Sequence, residues 1–260
     1  MNLIQICIAA DAQTEMPAES QPPASSAEPP ETLPEKARTI AAVVLLAVSG
    51  GLLDAVVYRL HGHVFANAMT GNIVLLSIAL MAHDTGQAMR HVTPLAAFAL
   101  GVMLAKYLLQ FHRASSLRLA LFIEMAGLAI AGALPLRFPS HTLVGLVALT
   151  AALQITVFRK LGSFGFNTTF VTGNLRSAFD GAFDLVFPVA APGGTPEQTR
   201  RRGLHLFRDL GLICLGFLAG ALLGAFCAPR LGNRSFWIAD LLLLAVGLLL
   251  RGTEATRSER

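Results

Sequence analysis

The chain has 260 residues, 54% of them hydrophobic and 14% charged, with a net charge of +4. A soluble domain carries about 25% charged residues, so an ordinary soluble globular protein is excluded. The basic residues lie mostly between apolar runs, which makes them topological information and not a nucleic-acid surface; no soluble stretch is long enough to carry one.

Residues 1–38 are rich in Pro, Ala, Ser and Glu and hold too few large apolar side chains to fold, so they read as a disordered tail. The opening MNLIQICIAADAQ has a short apolar run without a basic n-region and does not read as a cleaved signal. Apolar segments then follow at 40–60, 64–83, 91–111, 117–135, 141–160, 165–187, 205–228 and 235–250. A bilayer core of about 30 Å needs about 20 such residues per helix. The alternating segments of roughly 10 residues expected of a β-barrel do not occur. The fold class is therefore an all-α membrane protein of six to eight apolar helices, partnered by the lipid bilayer. Pro94, Pro135, Pro139, Pro188 and Pro229 fall near segment ends, where a missing donor does least harm. Residues 251–260 form a short polar tail, leaving a single integral membrane domain over 39–250. Cys7, Cys214 and Cys227 show neither disulfide nor zinc spacing.

The tripeptide Thr-Gly-Asn occurs at 70–72 and again at 172–174, each time in an apolar stretch. The stretch from Asp54 to Gly62 can be laid over that from Gln154 to Gly162, and Leu100-Gly101 over Leu215-Gly216. These matches predict two related halves, at about 40–135 and 141–250. A polar motif repeated at membrane depth is a pointer to a site where the two copies meet.

Charge placement separates two topologies. If all eight segments cross, the basic residues divide almost evenly. If the two Thr-Gly-Asn segments instead enter and leave on one side, Lys36, Arg38, Arg113, Arg118, Arg159, Lys160, Arg200, Arg201, Arg202, Arg208 and the C-terminal arginines share a face. Arg59, Arg90, Arg137, Arg230 and Arg234 take the other. The sharper asymmetry favours six crossings, inverted halves and cytoplasmic termini. Against it, 64–83 is long enough to cross unaided.

The tripeptides supply the first candidate site. Breaks at Gly71 and Gly173 would aim two helix N-termini inward, each with free N–H groups suited to an anionic group. Thr70, Asn72, Thr172 and Asn174, with Asn67, Thr168 and Thr169 nearby, add donors and acceptors for a small solute. The alternative is helix packing, in which small residues permit close approach and Asn or Thr bridge helices.

Ionisable groups in the apolar runs supply the second. Asp54, its counterpart Gln154, and Glu124 are candidates for proton or ion coupling, because a charge at the bilayer centre costs roughly 2.5–3.5 kcal/mol. Glu124 could instead make an interhelical hydrogen bond or pair with Lys106. Lys106 and Asp240 lie nearer span ends and read as snorkelling. Arg176 joins the coupling candidates; Asp180 and Asp184 follow it at successive i+4 spacings on one helix face. That face is a charged functional surface or the end of a helix that reaches water. His61 and His63 lack a third ligand, so they read as an interfacial loop and no metal is expected. No catalytic or cofactor motif occurs, so neither an enzyme nor a cofactor is expected.

Gly51-Leu-Leu-Asp54-Ala and Val64-Phe65-Ala-Asn67-Ala-Met69-Thr70-Gly71-Asn72 resemble the signature of the YoaK-like bacterial membrane proteins, a family defined by a domain of unknown function. Gln154 followed by Thr168-Thr169-Phe-Val-Thr172-Gly173-Asn174-Leu resembles its second-half pattern. The resemblance spans about 39–250 and implies a multi-pass protein of the bacterial inner membrane, without naming a reaction or substrate. The function expected is a small-solute secondary transporter or permease with its polar site between the two Thr-Gly-Asn segments. The alternatives are a sensor, an assembly factor or a lipid- or partner-binding protein, and less readily an intramembrane enzyme. A homo-oligomer is compatible with each.

Overall fold

The computed structural model describes residues 33–112, 116–158, 160–161, 164–165, 171–189 and 194–258. In chain order the helices are α1 (Leu33–Leu60), α2 (Met69–Met81), α3 (Thr85–Phe111), α4 (Ser116–Ala133), α5 (Ser140–Val157), α6 (Val171–Val186), α7 (Pro196–Leu231) and α8 (Phe236–Ser258). A two-residue hairpin, β1 (Lys160–Leu161) with β2 (Phe164–Gly165), lies between α5 and α6, and a 3-10 turn (Gly232–Ser235) joins α7 to α8. The protein is an all-α membrane protein. Five described stretches are long and apolar enough to cross a bilayer: Lys36–Leu60, Thr85–Phe111, Ser116–Ala133, Ser140–Val157 and Pro196–Leu250. The last contains both α7 and α8, which are folded back about the 3-10 turn, so six long helices result.

Glycine contacts fix the helix directions. Gly216 meets Val44, Gly220 meets Val48 and Gly224 meets Leu52, so α7 runs parallel to α1 in strict four-residue steps. A side chain at Gly220 would collide with the Val48 backbone, which is how small residues let membrane helices approach without an aqueous driving force. Likewise Gly145 meets Thr93 and Ala97 while Gly101 meets Leu149 and Ala152, so α3 and α5 are also parallel. Trp237 Nε1 donates to Ala129 O at 3.2 Å, and Leu243 packs nearer the start of α4, so α4 and α8 are antiparallel.

The interior is built from Leu46, Leu52, Leu53, Leu128, Leu143, Leu153 and Leu243 with the rings of Phe158 and Phe236. The outer faces carry large apolar residues, among them Leu100, Met103, Phe122, Leu218, Leu222, Phe226 and Leu241. That pattern suits a bilayer, where the exposed surface must be as apolar as the core.

α2 and α6 behave differently from the six long helices. α2 has 13 residues and is about 20 Å long, short of the hydrocarbon thickness. The chain leaves α1 at Leu60 and folds back so that Asn67 lies beside Gly50 and Asp54. α2 then returns to the end of α1, since α3 begins there: the Arg90 side chain packs on Gly62. α6 pairs antiparallel with α7, Gly181 against Gly203 and Val171 beside Cys214. The expected breaks at Gly71 and Gly173 are corrected: α2 starts at Met69 and α6 at Val171, so both glycines lie in a first helical turn. In the first half the break falls upstream, in 61–68, because side chains of α1 and α2 hold the loop backbone there.

At the Arg59 end, one polar knot ties four elements. His61 Nε2 donates to Asn233 Oδ1 at 2.9 Å, and Asn233 Nδ2 donates to Leu134 O at 2.9 Å. Because Asn233 uses its amide on Leu134, its oxygen must accept, which puts the His61 proton on Nε2. A longer 3.4 Å contact joins His61 Nδ1 to Ser140 Oγ. Burial holds the His61 imidazole below its usual pKa, with the Asn233 bond a smaller opposing effect.

Candidate functional site

Asp54 lies on α1, less than two turns from its end, and is 5% exposed. Its Oδ1 accepts from the Asn67 amide at 2.7 Å, with the neighbouring amides of Ala66 and Ala68 adding a weaker attraction. Ala68 is the N-cap of α2 and supplies no side-chain cap. The Asp54 carboxylate therefore anchors the backbone just ahead of α2, close to the partial positive charge where that helix begins. In the first half a carboxylate of the chain itself thus stands close to the N-terminus where an anionic group is expected.

Asn72 completes the cradle. It is 0% exposed; its Oδ1 accepts from Phe65 N at 2.9 Å and its Nδ2 donates to Phe65 O at 2.8 Å. The amide thus pairs with Phe65 as a neighbouring β-strand would. Gly71 provides the room, for a Cβ there would lie 2.9 Å from the Phe65 ring. Phe65 stacks on Tyr58 with centroids 4.9 Å apart. Thr70 points outward and is exposed. Of the first tripeptide, then, Gly71 and Asn72 brace the loop.

Asn67 is the exception. Its Nδ2 donates to Gly50 O at 3.2 Å, while its Oδ1 is buried without a partner among the described residues. A buried acceptor beside a carboxylate, at a break in the helical backbone, is the cradle's one unanswered polar atom among those residues.

In the second half, Asn174 is buried and Thr172 exposed, with Gly173 between them; Thr168 and Thr169 lie outside the described residues. Gln154 is 1% exposed and its Nε2 has no partner among the described residues. Arg176 lies 3.8 Å from Asp180, both well exposed on α6, as the i+4 spacing predicts. That places them on the outer face of the short helix, where such a pair contributes little.

Glu124 is 0% exposed in the middle of α4, and neither carboxyl oxygen has a partner among the described residues. Lys106 is exposed on α3 and forms no ion pair with it among the described residues. The charged group that acts on Glu124 is Asp240 of α8, itself half-buried with an unpartnered Oδ1. Sequence reading assigned Asp240 to a span end. Its place four residues into α8, ahead of the run Leu241–Leu244, was the available signal that it faces inward. Asn233 was missed as well, and only its turn position hinted at a role.

Residues 42–249 match the model of a family described as a protein of unknown function (DUF1275). The chain belongs to that family. It is 27% identical over 209 residues to the UPF0700 transmembrane protein YoaK of Bacillus subtilis (strain 168), covering 78% of this chain and 89% of the relative. No solved structure matches significantly. Family membership thus agrees with the membrane fold and leaves the chemistry to be argued from the residues.

Proposed function

We propose that this DUF1275 protein is a secondary transporter for a small solute, built as an inverted repeat, with its polar centre at the re-entrant loop of the first half. The observation that carries this reading is the orphaned Asn67 Oδ1 next to the Asp54 carboxylate, at a break in the membrane-embedded backbone. Broken helices at the repeat interface are where transporters of this plan bind solutes and coupling ions. The exposed chemistry is acceptor chemistry, so the solute or coupling ion presents a positive charge or hydrogen-bond donors, and not the anion the bare motif led one to expect.

The packing supports the repeat. The first long helix of each half (α1, α5) runs parallel to the third element of the other half (α7, α3). On this plan α2 and α6 are re-entrant from opposite sides, the Lys36 end is cytoplasmic, and the protein resides in the bacterial inner membrane. A cysteine replacing Asp84, in the α2–α3 turn, then reacts with an impermeant maleimide added from the periplasmic side. Protection from that side, with labelling only after inner-membrane lysis, overturns the six-crossing plan.

Function is tested with the full chain in proteoliposomes incubated with a mixture of amines, amino acids and sugars, the vesicle contents being read by mass spectrometry. At least one donor-bearing or cationic solute is expected to accumulate above protein-free vesicles, and Asn67→Ala to abolish this while the protein stays monodisperse. No accumulation, or accumulation indifferent to Asn67→Ala, removes the reading. A non-transporting membrane protein is favoured by one specific fact: both polar ends of Asn72 serve the loop, as a purely structural motif would require.

A further inference from the structure

α4 and α8 diverge toward the Lys36 end and leave a cleft of about 340 Å³ between them. Leu121, Met125, Leu243, Leu244, Gly247 and Leu248 line it. Gly247 faces open space, with nothing within 4 Å of where its Cβ would stand. The volume falls within the range of small-molecule pockets, which are mostly apolar with few polar groups.

One turn further inward on the same two helix faces stand Glu124, three residues after Leu121, and Asp240, three residues before Leu243. Both carry carboxyl oxygens without partners among the described residues, and Glu124 is 0% exposed. No donor on a neighbouring element bonds these oxygens among the described residues, although Gln154 Nε2 of α5 and Ser235 Oγ are themselves without partners there. Thr150 Oγ1, which packs at Gly127, bonds Leu146 O and Val147 O at 3.1 Å. Trp237 Nε1 bonds Ala129 O, and Asn233 Nδ2 bonds Leu134 O. A fully buried Glu124 beside a half-buried Asp240, with no hydrogen bond to their orphaned oxygens among the described residues, is costly, and a cationic partner from outside would offset that cost.

We propose that the cleft and the Glu124–Asp240 pair form one binding site for an amphiphilic organic cation entering from the bilayer, its apolar body in the cleft and its positive centre at the carboxyls. Arg118 lies at the opposite end of the cleft, about 9 Å from Glu124 along α4, where its long side chain reaches the headgroup layer. The two positive charges are thus kept at opposite ends of an elongated ligand. The site is separate from the loop cradle, and its occupancy does not depend on transport.

The test uses the full chain in nanodiscs of phosphatidylcholine, titrated with radiolabelled tetraphenylphosphonium. Saturable binding is expected, weakened at least tenfold by Glu124→Gln combined with Asp240→Asn. Gly247→Leu, which fills the cleft from a position with free space and leaves both acids in place, is expected to weaken it as much. Neutral triphenylphosphine oxide is expected not to displace the probe. Absence of saturable binding, unchanged affinity in either variant, or displacement by the neutral compound overturns the proposal. Displacement by added phosphatidylglycerol overturns it too, and marks the cleft as a seat for anionic lipid at Arg118. Because these are binding measurements, a negative result leaves the Asn67 transport test untouched.

Discussion

Asp54 and Glu124 are both carboxyls buried in apolar helices, 5% and 0% exposed, but their surroundings are opposite. Asp54 accepts from the backbone amide of Asn67, with weaker attraction from those of Ala66 and Ala68, and anchors the loop ahead of α2. Glu124 is met by no donor among the described residues and by a second acid, Asp240. Burial of a charge is therefore not one phenomenon. The same functional group is a structural anchor where a backbone donor meets it, and an open request for a partner where none does.

The comparison is broken most directly at Asp54. Asp54→Leu strands the Asn67 amide at membrane depth and removes the weaker attraction on its two neighbours, so a loss of about 3 kcal/mol is expected from denaturant titration in detergent micelles, the upper end of 1–3 kcal/mol per orphaned group. Asp54→Asn keeps an acceptor and should lose clearly less. Equal losses in the two variants would mean that the Asn67 amide is satisfied elsewhere and that Asp54 does not anchor the loop. Next in size is Asn72→Ala, which leaves Phe65 N and Phe65 O without partners. About 2 kcal/mol of destabilisation is expected, together with faster proteolysis between His61 and Ala68. A change within 0.5 kcal/mol would show that the loop does not depend on the tripeptide.

A smaller effect is expected at His61, outside the spans. Burial depresses its pKa below 6.5, so the folded state favours the neutral ring. The unfolded chain takes up the proton first as pH falls, so stability present at neutral pH is lost progressively below about 6.5. His61→Gln should flatten that acid limb in melts recorded from pH 7.5 to 5. A limb of unchanged slope would assign the acid sensitivity to other groups.

These residues also show what the sequence made legible. Apolar length announced the spans, because the bilayer imposes about 20 residues on each whatever the tertiary packing. The charge asymmetry set the Thr-Gly-Asn segments apart, and α2 has only 13 residues, about 20 Å of helix. The loop was less legible. The run 64–83 is mostly apolar, and nothing in that pattern shows that Asn67 folds back to Gly50, since this depends on a side chain 13 residues away and a backbone carbonyl 17 residues away. Pairing Gly101 with Gly216 by sequence was also a turn out of step with the packing. Gly220, which meets Val48, is the closer equivalent of Gly101, which meets Leu149. Helix faces repeat nearly every four residues, so small-residue stripes fix a face far better than a register. The Glu124–Asp240 meeting was invisible for a plainer reason: two acids 116 positions apart give no local sign that their helices are antiparallel neighbours.

The least disruptive substitution bears hardest on the comparison. Glu124→Gln removes a group whose oxygens have no partner among the described residues, so no bond to either oxygen is lost there. It also relieves the repulsion from Asp240 and the cost of desolvating a carboxyl, so stability should hold or rise slightly, within about 1 kcal/mol. Asp54→Asn, the matching change at the loop anchor, should go the other way. If Glu124→Gln instead destabilised the protein as much as Asp54→Asn, Glu124 would have to be holding structural donors of its own. The two carboxyls would then be the same kind of residue after all. If stability holds while tetraphenylphosphonium binding falls, the carboxyl is maintained at its energetic cost for a ligand, because the fold alone gives no reason to keep it.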